Sequence, residues 1–163
     1  MSTWREVADS APEFAERVRE AFEAHKHKTL ATLREDGSPR VSGIEAYFIG
    51  GDLWFGSMPG ARKAADLRRD PRFALHGPPL ILSADDPAAA PGDAKVSGRA
   101  VAATDPAEIA AMLDARGLDP DSFRDSHFFK ADIEEAVLTR VEGKAMTILL
   151  WRPGQDVRRF EHA

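Results

Sequence analysis

The stretch DGSPRVSGIEAYFIGGDLWFGSMPGARKAADLRRDPRFAL, from Asp36 to Leu75, decides how this chain folds. Asp36-Gly37-Ser38-Pro39 and Gly50-Gly51 are hairpin signals, because both tolerate the positive φ that tight turns require. Around them TLATLR, VSGIEAYFI and DLWFGS are short apolar or alternating runs. Three consecutive antiparallel strands follow from that pattern. The next segment, ARKAADLRRD, has helical composition, and Pro71 marks its stop. RFALH then reads as a fourth strand.

Working outward toward the N-terminus, Ser10-Ala11-Pro12-Glu13 has the form of a helix start, with a Ser N-cap, an early Pro and a Glu three residues on. Phe14, Val18, Ala21 and Phe22 fall on one face of an amphipathic helix over Ala11 to Ala24. Toward the C-terminus, residues 77–93 are rich in Pro, Ala and Asp and read as a long loop. AKVSGRAVAA is a fifth strand. Asp105-Pro106 opens a helix that Gly117 closes, DPDSFRDSHFFKAD is irregular, and a last hairpin turns near Glu142-Gly143.

Strands joined by short turns with few helices make the class α+β with an antiparallel sheet. Adjacent apolar residues such as Tyr47, Phe48 and Ile49 put apolar side chains on both faces, which suits closure into a small barrel of about six to seven strands with flanking helices. One domain over residues 1–163 is expected, its barrel over about 28–152.

The chain has 22 basic and 27 acidic side chains, a net charge of −5. That argues against general binding to nucleic acid or to an anionic membrane, so any anion site is local. With no cysteine, thiolate nucleophiles, iron–sulfur clusters and cysteine zinc sites are excluded. The opening residues have neither a basic n-region nor an apolar core, and the expected location is cytoplasmic.

The chemistry concentrates in Phe55-Gly56-Ser57-Met58-Pro59-Gly60-Ala61-Arg62-Lys63. Here a strand end, a Pro-Gly turn and two adjacent cations meet at the first turn of a helix. Backbone amides, the positive helix end and both side chains would face one anion, as a phosphate cradle does. The alternative is that Arg62 and Lys63 only solvate the helix start. Cations there oppose the helix dipole by ~0.3–1 kcal/mol, so they call for an explanation.

The same stretch resembles the core of the pyridoxamine-5′-phosphate-oxidase-like, flavin-binding split-barrel family. Members often read Asp-Gly-x-Pro-Arg-Val, then a strand end followed by Gly-Ser-Arg-Lys-Ala. The likeness runs from about Thr29 to Leu75, and the closing WRPGQDVRRF is similar to the family's C-terminal Trp-to-Arg segment. It implies a split barrel, an FMN cofactor, a homodimer and a small-molecule substrate. A deazaflavin, coenzyme F-420, is the alternative cofactor, and a non-catalytic flavin- or haem-binding protein is the alternative function.

Carried over by position, Arg62 and Lys63 would grip the cofactor phosphate with Ser57 near the same end. Arg40, Val41, Ser42 and Gly43 would lie along the ring and ribityl chain, while Trp151 and Arg159 would reach the cofactor across a dimer interface. Ala61 stands where the family commonly has a serine, which removes one hydroxyl ligand. Val157-Arg158-Arg159-Phe160 replaces the Arg-x-His that handles substrate in authentic pyridoxine-phosphate oxidases, so that reaction is not expected. His25 with His27, His76, and His127 beside Asp125 and Lys130 read as surface or capping histidines rather than metal ligands. With no nucleophile elbow, paired-carboxylate motif or dinucleotide fingerprint, no catalytic side chain is assigned, and redox chemistry would be the cofactor's.

Overall fold

Alternating burial along the strands turns one apolar face inward, and the sheet curls until its first and last barrel strands meet. The computed structural model describes residues 1–78, 85–86 and 90–162. Its strands are β1 (His27–Leu33), β2 (Pro39–Ile49), β3 (Asp52–Ser57), β4 (Arg72–His76), β5 (Asp93–Ala102), β6 (His127–Glu142), β7 (Ala145–Trp151) and β8 (Arg158–His162). The helices are α1 (Trp4–Ser10), α2 (Pro12–Glu23), α3 (Arg62–Arg69) and α4 (Pro106–Ala115).

All neighbouring strands are antiparallel, in the order β3-β2-β1-β4-β5-β6-β7-β8, and β3 also pairs with β6 from Trp54↔Lys130 to Ser57↔His127. That last ladder closes a six-stranded barrel and leaves β7 and β8 as an extension. The 16 residues of β6 serve three partners, pairing with β3, β5 and β7 along successive portions. Between Ser97 and Gly98 the β5–β6 register shifts. A side chain at Gly98 would lie 2.0 Å from the Asp132 carbonyl oxygen, so the close approach of the two strands demands glycine there.

Leu30, Leu53, Phe55, Val96, Ile133 and Leu138 fill the barrel. Both N-terminal helices join this core through Trp4, Val7, Val18 and Phe22, and the Trp4 ring lies 4.4 Å from that of Phe48. A second cluster forms outside the barrel, where Met112 and Leu113 of α4 cover Trp54 and Phe128. Among the described residues no helix is long and apolar enough to cross a membrane.

The split-barrel class and the five strands read between residues 29 and 103 stand. Other expectations change. The helix expected over Ala11 to Ala24 is present as α2, but a further helix, α1, precedes it, and Ser10 ends that helix instead of capping α2. Its hydroxyl donates back to the Glu6 carbonyl and accepts from Trp151 Nε1 at 2.9 Å, so a core contact takes the oxygen that a cap would use. The irregular segment after Gly117 is a short 3-10 turn over Pro120–Phe123 followed at once by β6, whose early residues pair across the barrel seam with β3. Strand β8 was not foreseen, because its five exposed residues carry no alternating pattern. The loop over 77–93 lies largely outside the described residues.

Candidate functional site

At the end of β3 the chain turns sharply into α3. Gly60 has φ of +72°, which Pro59-Gly60 supplies in a turn closed by the Ala61 amide donating to the Met58 carbonyl at 3.2 Å. Helix α3 then starts without a side-chain cap and without an acidic residue in its first turn. The amides of Arg62 and Lys63 are orphaned by their position at a helix start. Arg62 is exposed and has no hydrogen bond or ion pair among the described residues. Lys63 donates to the Gly43 carbonyl at 2.7 Å, which ties α3 to β2. Ser57 Oγ, just before the turn, is buried with no hydrogen-bond partner.

An orphaned hydroxyl, free amides and an unpaired guanidinium at one strand-to-helix junction fit a phosphate group. Each lacks what an anion with several acceptor oxygens would provide. At Gly43 nothing stands within 4 Å of where a Cβ would be, so the β2 backbone is open there. Val41 on the same outward face is 71% exposed.

Arg40 is placed differently from its neighbours on β2. Its Nε donates to Asp66 Oδ2 at 2.6 Å, and Thr32 Oγ1 and Arg69 also donate to the same buried carboxylate, at 2.8 and 3.1 Å. Burial would push the Asp66 carboxyl up, but the bonds from Arg40, Thr32 and Arg69 outweigh it and hold its pKa below the ordinary value. Asp66 therefore fastens α3 across β1 and β2. Helical spacing gave the signal for it, since Arg62, Ala65, Asp66 and Arg69 share one face. That face borders a groove of about 400 Å³ together with Arg34 and Arg40.

Arg62, Lys63, Ser57, Arg40 and Gly43 thus gather around α3, with Ser42 half-buried between Val41 and Gly43. Trp151 and Arg159 stand apart from them within one chain. The Trp151 ring is 1% exposed in the chain's own core, and Arg159 pairs with Glu142 and Glu161. His127 opens β6 opposite Ser57, with its Nδ1 2.9 Å from an Arg68 nitrogen. Among the described residues no three His, Cys, Asp or Glu side chains gather as a metal set.

A second polar centre escaped sequence reading because its members are far apart in the chain. Glu45 accepts from Tyr47 Oη at 2.5 Å and from Arg116 at 3.3 Å, and pairs with Lys26 at 3.0 Å. The Arg116 guanidinium lies 3.7 Å from the Tyr47 ring centroid. Burial raises the Tyr47 hydroxyl above its ordinary pKa, and its bond to Glu45 adds to the rise.

The fold and the junction define a closed antiparallel barrel with an uncapped helix start at a strand-to-helix turn. The model of the family described as pyridoxamine 5′-phosphate oxidase matches residues 14–140, and the chain belongs to that family. Among solved structures it is similar to a heme binding protein from Mycobacterium smegmatis, with TM-score 0.61 and 20% identity over 84% of this chain and 57% of that one. ChuZ of Campylobacter jejuni gives TM-score 0.65 and 12% identity, over 88% of this chain and 61% of that chain. This chain therefore spans less than two thirds of the length of either. A structure described as an F420 reductase gives TM-score 0.52 and 20% identity, over 72% of this chain and 94% of that one. No curated protein sequence matches significantly.

Proposed function

We propose that this chain is a flavin-dependent oxidoreductase that holds FMN by its phosphate at the start of α3 and acts as a homodimer on a small organic molecule. The observation that carries the reading is the unsatisfied junction itself: Ser57 Oγ buried without a partner beside an unpaired Arg62 on an uncapped helix. A group with a phosphate would satisfy all three. FMN would bring the capacity to accept and return a hydride or single electrons. The chain's own residues would then hold the phosphate, keep α3 fixed through Asp66, and leave the open backbone at Gly43 for the ring.

The test replaces Arg62 and Lys63 together by Ala and measures affinity for FMN and for riboflavin, which lacks the phosphate. Each charge-assisted contact contributes ~1.5–3 kcal/mol, so FMN binding is expected to fall by roughly 10²–10⁴-fold. Riboflavin should lose far less. Equal losses for both ligands would show that the two residues act through the fold, and the phosphate assignment would fail. Arg62→Ala alone is the cleaner probe, because that side chain supports nothing else in the structure.

The solved structure described as an F420 reductase favours a deazaflavin as the second cofactor reading. The heme binding protein similarly raises haem as a third. The absorption spectrum after incubation with each cofactor in turn separates the three, since only a bound chromophore survives gel filtration with the protein.

A further inference from the structure

The largest cleft among the pockets described, about 880 Å³, lies away from α3, where β2 runs on past its neighbour. Strand β1 pairs with β2 only as far as His27↔Glu45, so Tyr47 to Ile49 have a strand partner on the β3 side alone. The ends of α2 and α4 wall the opening. Apolar Phe48, Ile49, Leu118 and Phe123, the cations of Lys26, Lys28 and Arg116, and the carboxylates of Glu23 and Glu45 all line it.

Lys28 is the unusual member. Alternation along β1 puts it on the inward side with Leu30 and Thr32, and it is only 6% exposed. Its ammonium donates to the carbonyls of His25 and Lys26, at 2.8 and 3.1 Å, and lies 6.0 Å from the centre of the Tyr47 ring. It has no ion pair among the described residues, although the other two cations both pair with Glu45. A buried ammonium without a counter-ion is costly, and here burial lowers its pKa while Glu23 and Glu45 oppose that only at a distance. Two carbonyls occupy two of its three protons, so one donor is left toward the cleft.

From this juxtaposition we propose that the cleft binds an amphipathic organic anion, with a carboxylate seated on Lys28 and an apolar body against Ile49, Leu118 and Phe123. Such a ligand supplies the missing counter-ion and covers the apolar lining together. Glu45 and Gly43 are two residues apart on one face of β2, ~7 Å along the strand. A ligand there would border the cofactor path, which makes this the substrate class of the proposed oxidoreductase. That placement rests on the flavin reading; the binding itself does not.

The experiment titrates the cofactor-free full chain with sodium decanoate and with decanol by calorimetry, in the wild type and in Lys28→Met. Saturable binding of one decanoate per chain is expected, at least tenfold weaker in Lys28→Met, with decanol at least tenfold weaker than decanoate in the wild type. Absence of saturable decanoate binding, equal affinity for decanol, or an unchanged affinity in Lys28→Met each overturns the proposal. Should Lys28→Met fail to fold, NMR titration of the Lys28 ammonium in the wild type decides instead. Its pKa must rise when decanoate is present, and an unmoved titration curve overturns the site. Because no flavin is present, a failed flavin assignment leaves these outcomes unaffected.

Discussion

Ser57 is the residue where stability and binding are set against each other. Its hydroxyl is buried without a partner, which costs ~1–3 kcal/mol in the empty protein. Ser57→Ala is therefore expected to leave the ligand-free protein equally stable or more stable by up to about that amount, read from chemical denaturation. The same change should weaken FMN binding by roughly two- to tenfold, as the loss of one neutral hydrogen bond to phosphate. Loss of stability together with unchanged FMN affinity would mean that the hydroxyl has another partner, and the cradle reading would lose its best evidence. The serine itself was legible in the sequence, at the strand end before Pro59-Gly60. Its orphaned state was not, since burial of one oxygen depends on how β6 closes over β3.

At the scale of elements, α3 is held to the barrel by a buried carboxylate as well as by Lys63. Eight residues are too few for a stable isolated helix. Asp66 anchors it to Thr32 of β1 and Arg40 of β2, so Asp66→Asn should cost ~2–3 kcal/mol near neutral pH, where the carboxylate is charged. Because its pKa is depressed in the folded state, this contribution is complete above the unfolded value near 3.8 and fades as pH falls through the folded one. The gap between wild type and Asp66→Asn should narrow in denaturation curves measured below that pH. A gap that stays constant down to pH 2 would show that the charge plays no part. Strands β1 to β5 were readable because each alternates or ends in turn residues. Helix α1 and strand β8 were not, since seven and five residues hold too little periodicity, and α1 also depends on partners remote in sequence. Arg40 illustrates the same limit within the site. Resemblance gave its strand and position, but its nearest partner, Asp66, is 26 residues away and became visible only with the fold.

For the whole molecule, the outer barrel face carries unusually small side chains. Val41 and Ala31 pair across β2 and β1, Ala31 pairs with Ala74, and Ala74 with Ser97, so one row across four strands carries small side chains, and a hollow of about 340 Å³ opens beside Ala31, Ala74 and Ser97. The proposed dimer would use this face, with its exposed valine two residues from Gly43, and a stable interface needs ~1,200 Å² or more of buried surface. Light scattering at micromolar concentration with cofactor bound should give twice the chain mass, and Val41→Glu should shift it toward the monomer. A wild-type monomer under those conditions would end the dimer assignment. The barrel seam carries a different consequence, one of time. Most ladders join strands that follow one another along the chain, whereas β3 meets β6 only through Trp54↔Lys130 and the pairs beside it. Contacts between segments so distant in sequence form late, because the entropy of closing a long loop is lost before the contact returns anything. Refolding would then pass through two hairpin meanders, β1 to β3 and β4 to β8, that ripen separately before they meet at β1–β4 and at the seam. The Ser57↔His127 pair is a rung of that seam, so the proposed anion cradle is completed only as the seam closes, and a nascent chain would reach its ligand-ready state only when β6 has been made.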